Sequence, residues 1–152
     1  MSINGQACIV GAYEHPTRKA DDLSVARLHA DVAKGALEDA GLTKDDIDGY
    51  FCAGDAPGLG TTTIAEYLGL KLRHVDSTEC GGSAPILHVA HAAQAIAAGR
   101  CNIALITLAG RPRAAGAALS LKAPDPDAPE VQFELPFGPA TQNLYGMVAK
   151  RH

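Results

Sequence analysis

The chain has 152 residues, of which 47% are hydrophobic and 20% are charged, and its formal net charge is −4. This balance is typical of a folded globular domain with a substantial core, and the acidic charge argues against a nucleic-acid partner, which needs a basic face. The apolar runs are too short to cross a membrane, and the N-terminus lacks the basic and apolar regions of a secretion signal. We therefore expect a cytoplasmic protein that binds neither nucleic acid nor a membrane.

The first half of the chain predicts strands in its extended apolar runs and helices where apolar residues recur at helical spacing. Asp22 or Ser24 can cap the first helix, Gly41 can end it, and Gly35 inside it indicates close packing against a neighbour. In chain order, the predicted elements are a buried strand at 7–13, a helix at 25–40, a capping box with a single turn at 43–46, a strand at 47–54 and a helix at 61–68.

The second half predicts a strand at 72–78, a tight turn, a helix at 86–99 and a strand at 102–110. The helix is apolar nearly all round, so we expect it to be a buried, central one. One of its faces carries Ile86, Val89, Ala90, Ala93, Ile96 and Ala97. Residues 111–130 are rich in Pro, Ala and Asp and predict a long surface excursion, and 140–152 predicts a last helix.

Strands that alternate with helices are typical of a layered α/β fold with a mostly parallel or mixed sheet. The change of character after Gly110 divides the chain into an α/β domain at 1–110 and a second region at 111–152. We expect the α/β domain to be organised around the central helix and the turn before it. This turn follows directly on a strand.

The four cysteines form no paired motif and no zinc spacing. Cys8, Cys52 and Cys101 lie in apolar, strand-like runs, where a buried structural thiol is the simplest interpretation. Cys80 instead stands beside two glycines, directly before the central helix, and a helix N-terminus favours the thiolate form of a nearby thiol. The sequence therefore singles out Cys80 as the candidate catalytic residue and predicts no metal site.

Several segments together resemble the thiolase superfamily, in particular its branch of sterol-carrier and lipid-transfer thiolases. The segments that carry the resemblance are Ala36-Leu37-Glu38-Asp39-Ala40-Gly41-Leu42, Asp46-Ile47-Asp48-Gly49, the turn and central helix ending Ala95-Ile96-Ala97-Ala98-Gly99-Arg100, the strand Ile103 to Thr107, and the closing Phe137-Gly138-Pro139, Tyr145, Met147 and Arg151-His152.

The resemblance implies half of an αβαβα thiolase fold and the activity of an acyl-CoA C-acyltransferase, of which this chain is the N-terminal portion. In that family a cysteine at the start of the central helix is acylated by an acyl-CoA, and the acyl group is transferred in a Claisen condensation or its reverse. The substrate would be a coenzyme A thioester, with no permanently bound cofactor. The resemblance also implies a homodimer or higher homo-oligomer, and in some members a small zinc-ribbon/OB-fold partner.

Two departures from the family leave alternatives open. The catalytic histidine and second cysteine of the family lie in a C-terminal half that has no counterpart here. Counting back from the central helix, the family's cysteine position falls on Gly82, two residues after Cys80. Either the turn is longer and Cys80 still serves, or the site lacks a cysteine, as in retro-aldolases of the lipid-transfer type. A third alternative is a non-catalytic acyl-CoA-binding subunit.

The residues that follow Cys80 admit two interpretations each. The backbone N–H groups of Gly81 and Gly82 could form an oxyanion hole, or the glycines could simply make a strand-to-helix turn. Ser83, the last residue of this turn, is best explained as an N-cap rather than as a nucleophile, because the sequence places no histidine and aspartate partners for it.

Two further pairs of residues are candidates for binding. His88 and His91 share a helix face, where packing or hydrogen bonding is favoured over metal binding because no third ligand is evident. Arg111 and Arg113 follow the last strand and could contact a coenzyme A phosphate, or lie in a solvated loop.

Overall fold

The computed structural model describes residues 3–53, 56–114, 133 and 141–152. Contacts divide the chain into two compact units, Met1–Arg111 and Pro112–His152. The elements of the first unit are α1 (Val25–Ala40), a single 3₁₀ turn (Lys44–Asp46), β1 (Gly49–Cys52), α2 (Thr61–Leu68), β2 (His74–Asp76), α3 (Ala84–Ala97) and β3 (Ala104–Thr107). The second unit contains α4 (Thr141–Arg151).

The three strands form one parallel sheet in the order β2-β1-β3. Tyr50 in the middle strand lies opposite Val75 on one side and Leu105 on the other. The predicted α/β class with a parallel sheet is therefore confirmed, and β1 is its central strand.

Side chains of β1 point alternately to the two faces of the sheet, and each face is covered by helices. Tyr50 and Cys52 belong to a core that includes residues of α1 and α2. Phe51 belongs to a second core with Ala92 and Ala95 of α3. The first unit is thus a three-layer arrangement, with α1 and α2 on one face and α3 on the other.

Local signals in the sequence set the ends of the helices. The Ser24 hydroxyl accepts a hydrogen bond from the Arg27 N–H at 3.1 Å, which makes Ser24 rather than Asp22 the N-cap of α1. Gly41 ends α1 in the left-handed conformation with φ +68°. Gly35 packs against the Tyr13 ring so closely that a Cβ there would overlap it, which confirms the predicted close packing.

The predicted buried strand at 7–13 is wrong. The segment belongs to no strand, and Ile9 is 76% exposed. It runs instead beside α1, where a Cβ on Gly11 would lie 2.5 Å from the Ala36 carbonyl oxygen, and the Ala12 N–H donates to Asp39 at 2.9 Å. Its apolar residues lack a neighbouring strand in the described part of the chain, and without one an extended run has no ladder to join.

The prediction of a buried central helix is correct for only one side of α3. Ala84, His88, Ala92 and Ala95 are buried against the sheet. Most of the face that the sequence pattern emphasised is exposed, with Ile86 75% accessible, whereas Ala93 and Ile96 are half-buried. The physical reason is that the described chain offers a single sheet, which can cover one side of a helix that is apolar on both.

The predicted burial of the cysteines holds for two of the three. Cys52 and Cys101 are fully buried, whereas Cys8 is exposed because its segment does not enter the sheet. All four cysteines are free thiols.

Asp48 joins the three strands at the amino edge of the sheet. Its carboxylate accepts hydrogen bonds from the backbone N–H groups of Asn102 at 2.7 Å and Ile103 at 2.9 Å. Arg73 lies 3.4 Å from the same carboxylate and also donates to the Gly99 carbonyl at 3.2 Å. Partial burial acts to raise the pKa of Asp48, but these N–H donors and the Arg73 charge outweigh it and lower the pKa below its usual value.

Most of the predicted excursion at 111–130 falls outside the described residues. The helix α4 lies within the helix predicted at 140–152. Within the part of the chain that the structure describes, every helix is too short or too polar to span a bilayer.

Candidate active site

The β2–α3 turn, residues 77–83, leads from the carboxyl end of β2 to the first residue of α3. In α/β folds with parallel strands, ligands bind outside the carboxyl ends of the strands. Cys80 is exposed in this turn, four residues before α3 begins. The structure therefore brings Cys80, Gly81, Gly82 and Ser83 together in one short, accessible connection.

The two glycines of the turn differ in their backbone requirements. Gly81 has φ +69°, a conformation that side chains disfavour, whereas Gly82 does not have a positive φ. A Cβ on either glycine would meet no described atom within 4 Å, so neither is needed for close packing against the sheet. The Gly81 N–H donates to the Glu79 carboxylate at 2.9 Å, so this N–H is already engaged.

Ser83 stands at the N-cap position of α3 but does not cap the helix with its side chain. Its backbone is already helical, with φ −84° and ψ −14°, whereas a capping serine normally has extended dihedral angles. The expected cap is therefore absent for a geometric reason. The N-terminus of α3 must be held by other contacts.

Two histidines of α3 make contacts with the end of β2 and the start of the turn. The Thr78 N–H donates to Nε2 of His88 at 3.1 Å, and Nδ1 of His91 lies 2.6 Å from the Asp76 carboxylate. The Thr78 hydroxyl also donates to Asp76 at 3.3 Å. The predicted hydrogen-bonding role of both histidines is confirmed, and Asp76 and Thr78 are the partners that the sequence did not identify.

The charges in this cluster depend on burial and on one another. Partial burial acts to raise the pKa of Asp76, but hydrogen bonding and charge from His91 lower it overall. Burial lowers the pKa of His88, although the nearby Asp76 charge opposes the effect. His88 therefore favours its neutral form, which is the form that can accept the Thr78 N–H at Nε2.

The neutral form leaves one polar atom of His88 unsatisfied. When Nε2 accepts, the ring proton is on Nδ1, and this atom is buried without a hydrogen-bond partner among the described residues. Burying a donor in this way costs about 1–3 kcal/mol, so the contacts that place the ring must compensate for it.

Metal binding finds no support in the same cluster. Among the described residues, no group of three or more His, Cys, Asp or Glu side chains could hold a metal ion.

The arginines after β3 are placed differently from the turn residues. Arg111 donates from Nη1 to the Leu23 carbonyl at 2.9 Å, and its Nε is buried without a partner in the described part of the chain. Arg113 is exposed and belongs to the second unit. Arg111 therefore already holds the segment before α1, and contact of either arginine with a phosphate stays a prediction.

A second polar cluster lies buried at the carboxyl edge of the sheet. Thr107 Oγ1 is 2.8 Å from Nδ1 of His29 and 2.6 Å from the Tyr50 hydroxyl, and Nε2 of His29 is 4.0 Å from the Cys52 thiol. Burial lowers the pKa of His29 and raises the pKa of the Tyr50 hydroxyl and the Cys52 thiol. Burial therefore favours the neutral form of these three titratable groups, and it disfavours the thiolate of Cys52 despite the histidine neighbour.

Sequence reasoning missed this buried cluster. The signal that could have found it is a histidine next to Leu28 on the apolar face of α1, since a buried histidine needs hydrogen-bond partners from the sheet.

Comparison with known proteins gives matches only at the level of structure, since neither a family model nor a curated protein matches the chain. An Ltp2-ChsH2(DUF35) aldolase matches with a TM-score of 0.69 and 25% identity over 86% of this chain and 33% of its own. The monomeric SCP2-thiolase like protein type 1 from Mycobacterium smegmatis matches with a TM-score of 0.53 and 25% identity over 64% of this chain and 22% of its own.

An OleA variant from Xanthomonas campestris, with cerulenin, matches with a TM-score of 0.50 and 20% identity over 56% of this chain and 27% of its own. This last likeness concerns the fold alone. The chain spans about a third or less of the length of each of these proteins. The fold of the first unit, with its parallel sheet between helices, is therefore that of thiolase-like proteins, of which this chain covers a part.

Proposed function

We propose that the chain is part of a thiolase-superfamily enzyme that acts on a coenzyme A thioester, with the β2–α3 turn at its reactive centre. We further propose that the reaction is a retro-aldol cleavage in which no cysteine is acylated. In such a cleavage the Cα–Cβ bond of a 3-hydroxyacyl thioester breaks, the hydroxyl loses its proton to leave a carbonyl product, and Cα gains a proton to leave the shortened thioester.

The surroundings of Cys80 support retro-aldol cleavage over acyl transfer through this thiol. A nucleophilic thiol requires a nearby base or another group that keeps it deprotonated. Within the described residues the Cys80 thiol makes no hydrogen bond, and the two histidines that contact the end of β2 and the start of the turn, His88 and His91, are engaged with Thr78 and Asp76. The likeness to an aldolase over 86% of the chain points the same way.

A second candidate is C-acyl transfer through Cys80, the activity implied by the thiolase resemblance. It is favoured by one observation, the exposure of the thiol close to the N-terminus of a 14-residue helix. This candidate needs a base from outside the described chain, and it predicts a covalent acyl-enzyme.

The exposed face of α3 supports the proposal that this chain acts as part of a larger assembly. Ile86, Leu87 and Val89 are all exposed on a helix whose opposite side is buried. Contiguous apolar surface of this kind is normally covered by other protein. We propose that further thiolase-like structure covers this face. We also propose that the protein forms a homo-oligomer and binds a small zinc-ribbon/OB-fold partner.

The experiment that tests the proposed function combines binding and intact mass. The protein and its Cys80→Ala variant are titrated with acetyl-CoA and with a phenyl-substituted 3-hydroxyacyl-CoA by calorimetry, and their masses are then measured. We expect saturable binding to both proteins and no covalent adduct. Cys8→Ala is the matched control, since it removes the other exposed thiol of the described chain.

Other results would decide against retro-aldol chemistry. An acetyl adduct that maps to Cys80 and disappears in Cys80→Ala would establish acyl transfer instead. The absence of saturable binding of both thioesters would overturn the assignment to coenzyme A substrates altogether.

A further inference from the structure

We propose that His88 and His91 are positioning residues that hold the β2–α3 turn against α3. With their partners Asp76 and Thr78 they form what we call the histidine clamp. The inference deepens the proposed function and rests on it only in placing the reactive centre at this turn. The contacts of the clamp themselves do not depend on any substrate.

The clamp connects two consecutive elements at their junction. Asp76 is the last residue of β2, and Thr78 is the second residue after it. Their partners His91 and His88 lie about one helical turn apart on α3. Two hydrogen bonds of 2.6 and 3.1 Å therefore fix the beginning of the turn, while Ala84, which enters the helix, fixes its end.

The bond from Thr78 ties the turn to the buried side of α3. The Ser83 side chain makes no capping bond, and the bonds from Gly81 to Glu79 and from Ala84 to the Gly81 carbonyl join residues close together in the chain. The bond from Thr78 instead reaches ten residues along the chain to the fully buried His88.

The burial of His88 fits this role better than a role in packing alone. An apolar residue at this position would avoid the unsatisfied Nδ1 that the imidazole leaves in the core. The histidine instead contributes the acceptor for Thr78, and its ring packs beside Phe51 with centroids 5.9 Å apart. The energetic cost of the unsatisfied Nδ1 is explained if the bond from Thr78 is needed to hold the turn in one position.

Acid acts on the clamp through His88. Protonation of its Nε2 removes the lone pair that accepts the Thr78 N–H, so this hydrogen bond breaks. The titratable groups facing the two histidine rings are Asp76 of β2, Glu79 of the turn, and His74, which contacts the same Phe51 ring. Acid therefore releases the turn at Thr78.

The direct test is hydrogen exchange of the Thr78 amide, measured by NMR for the protein, His88→Leu and His88→Gln. The leucine cannot accept a hydrogen bond, whereas the glutamine carbonyl can occupy the place of Nε2. We expect exchange to be about three- to tenfold faster in His88→Leu, the range for the loss of one hydrogen bond, and to return to the original rate in His88→Gln. Acidification of the unaltered protein should lower the protection factor of the Thr78 amide, which is its exchange rate relative to an unstructured amide at the same pH, as His88 becomes protonated.

A second measurement reports on the turn through Cys80. In a Cys8→Ala background, iodoacetamide reacts with Cys80 as the exposed thiol, since Cys52 and Cys101 are buried. The alkylation rate depends on where the turn holds the thiol, so we expect the rate at pH 7 to change about threefold in His88→Leu, as for the loss of one hydrogen bond, and to return in His88→Gln. His15→Gln, a change far along the chain from the clamp, should leave the rate unchanged.

Each outcome decides the matter. Unchanged Thr78 exchange and Cys80 alkylation in a folded His88→Leu protein would overturn the clamp, as would a glutamine variant that fails to restore either rate. If His88→Leu does not fold, the acid titration of the unaltered protein decides: a Thr78 protection factor that stays constant while His88 becomes protonated refutes the inference. Neither readout uses a thioester, so the clamp and the proposed function can fail separately.

Discussion

The two edges of the sheet each carry an aspartate, and the two aspartates are used differently. At the amino edge, Asp48 accepts hydrogen bonds from backbone N–H groups and lies beside an arginine, partners that keep their protons at any ordinary pH. At the carboxyl edge, Asp76 pairs with His91, and the neighbouring His88 accepts the Thr78 N–H only while its ring is neutral. The first edge is built to stay fixed, and the second is built from groups whose interactions change with protonation.

The loops at the two edges of the sheet also differ in how firmly they are held. The amino edge is closed by hydrogen bonds between neighbouring segments, including donation from Arg73 and His74 to the Asp48 carbonyl. The carboxyl edge has an exposed thiol and a histidine whose Nδ1 is buried without a partner among the described residues. A buried polar group left without a partner requires an explanation, and a functional role is one of them.

The largest expected effect comes from breaking the amino edge. Asp48→Ala removes the acceptor for two backbone N–H groups and the partner of Arg73, so we expect the free energy of unfolding to fall by about 2–4 kcal/mol. Urea denaturation followed by circular dichroism measures it.

Asp48→Asn is the matched control for that change, because its amide oxygen can still accept one backbone bond but carries no charge. It should lose less stability than Asp48→Ala. An equal loss of stability in the two variants would show that the hydrogen-bond acceptor at residue 48 does not account for the stability of this edge.

A smaller effect is expected from Gly81→Ala at the carboxyl edge. The alanine side chain must adopt φ +69° there, at a cost of about 1–2 kcal/mol in the free energy of unfolding. Gly82→Ala makes the same chemical change in the next residue, where φ is not positive and no described atom lies within 4 Å of the new Cβ. Thermal unfolding should separate the two variants by several degrees, and equal melting temperatures would contradict the account of Gly81.

The smallest effect is expected from Ser83→Ala. Its side chain makes no capping bond, so we expect a change within about 0.5 kcal/mol in the free energy of unfolding. Ser24→Ala removes a real cap from α1 and should cost about 1 kcal/mol. A Ser83→Ala protein that loses as much stability as Ser24→Ala would mean that the serine caps α3 in solution.

Sequence reasoning succeeded where the determining signals are local. The limits of α2 at Thr61 and Leu68 follow from a helical pattern and the glycine that ends it, and Gly41 ends α1 in the same way. The capping box at Thr43 forms as predicted, with the Thr43 N–H donating to Asp46 at 2.8 Å. Such features involve residues within a few positions of one another, so no knowledge of the fold is needed.

Sequence reasoning failed where the burial of a segment depends on which other elements pack against it. The run at 7–13 has the composition of a strand, but a strand also needs a partner. The pattern of α3 shows two apolar faces and cannot tell which one this chain covers. The glycines and the cysteine of the turn suggested the candidate site, which stays a prediction. The bonds from Asp76 and Thr78 to the histidines join residues 15 and 10 positions apart and appear only in the folded chain.

The exposed face of α3 has a practical consequence for every measurement of stability. Apolar surface that lies open in a single chain can be buried by association between copies, and association favours the folded state by mass action. We therefore expect the melting temperature of this protein to rise with its concentration. Polar substitutions such as Ile86→Ser should remove that dependence while leaving the melting temperature in dilute solution nearly unchanged.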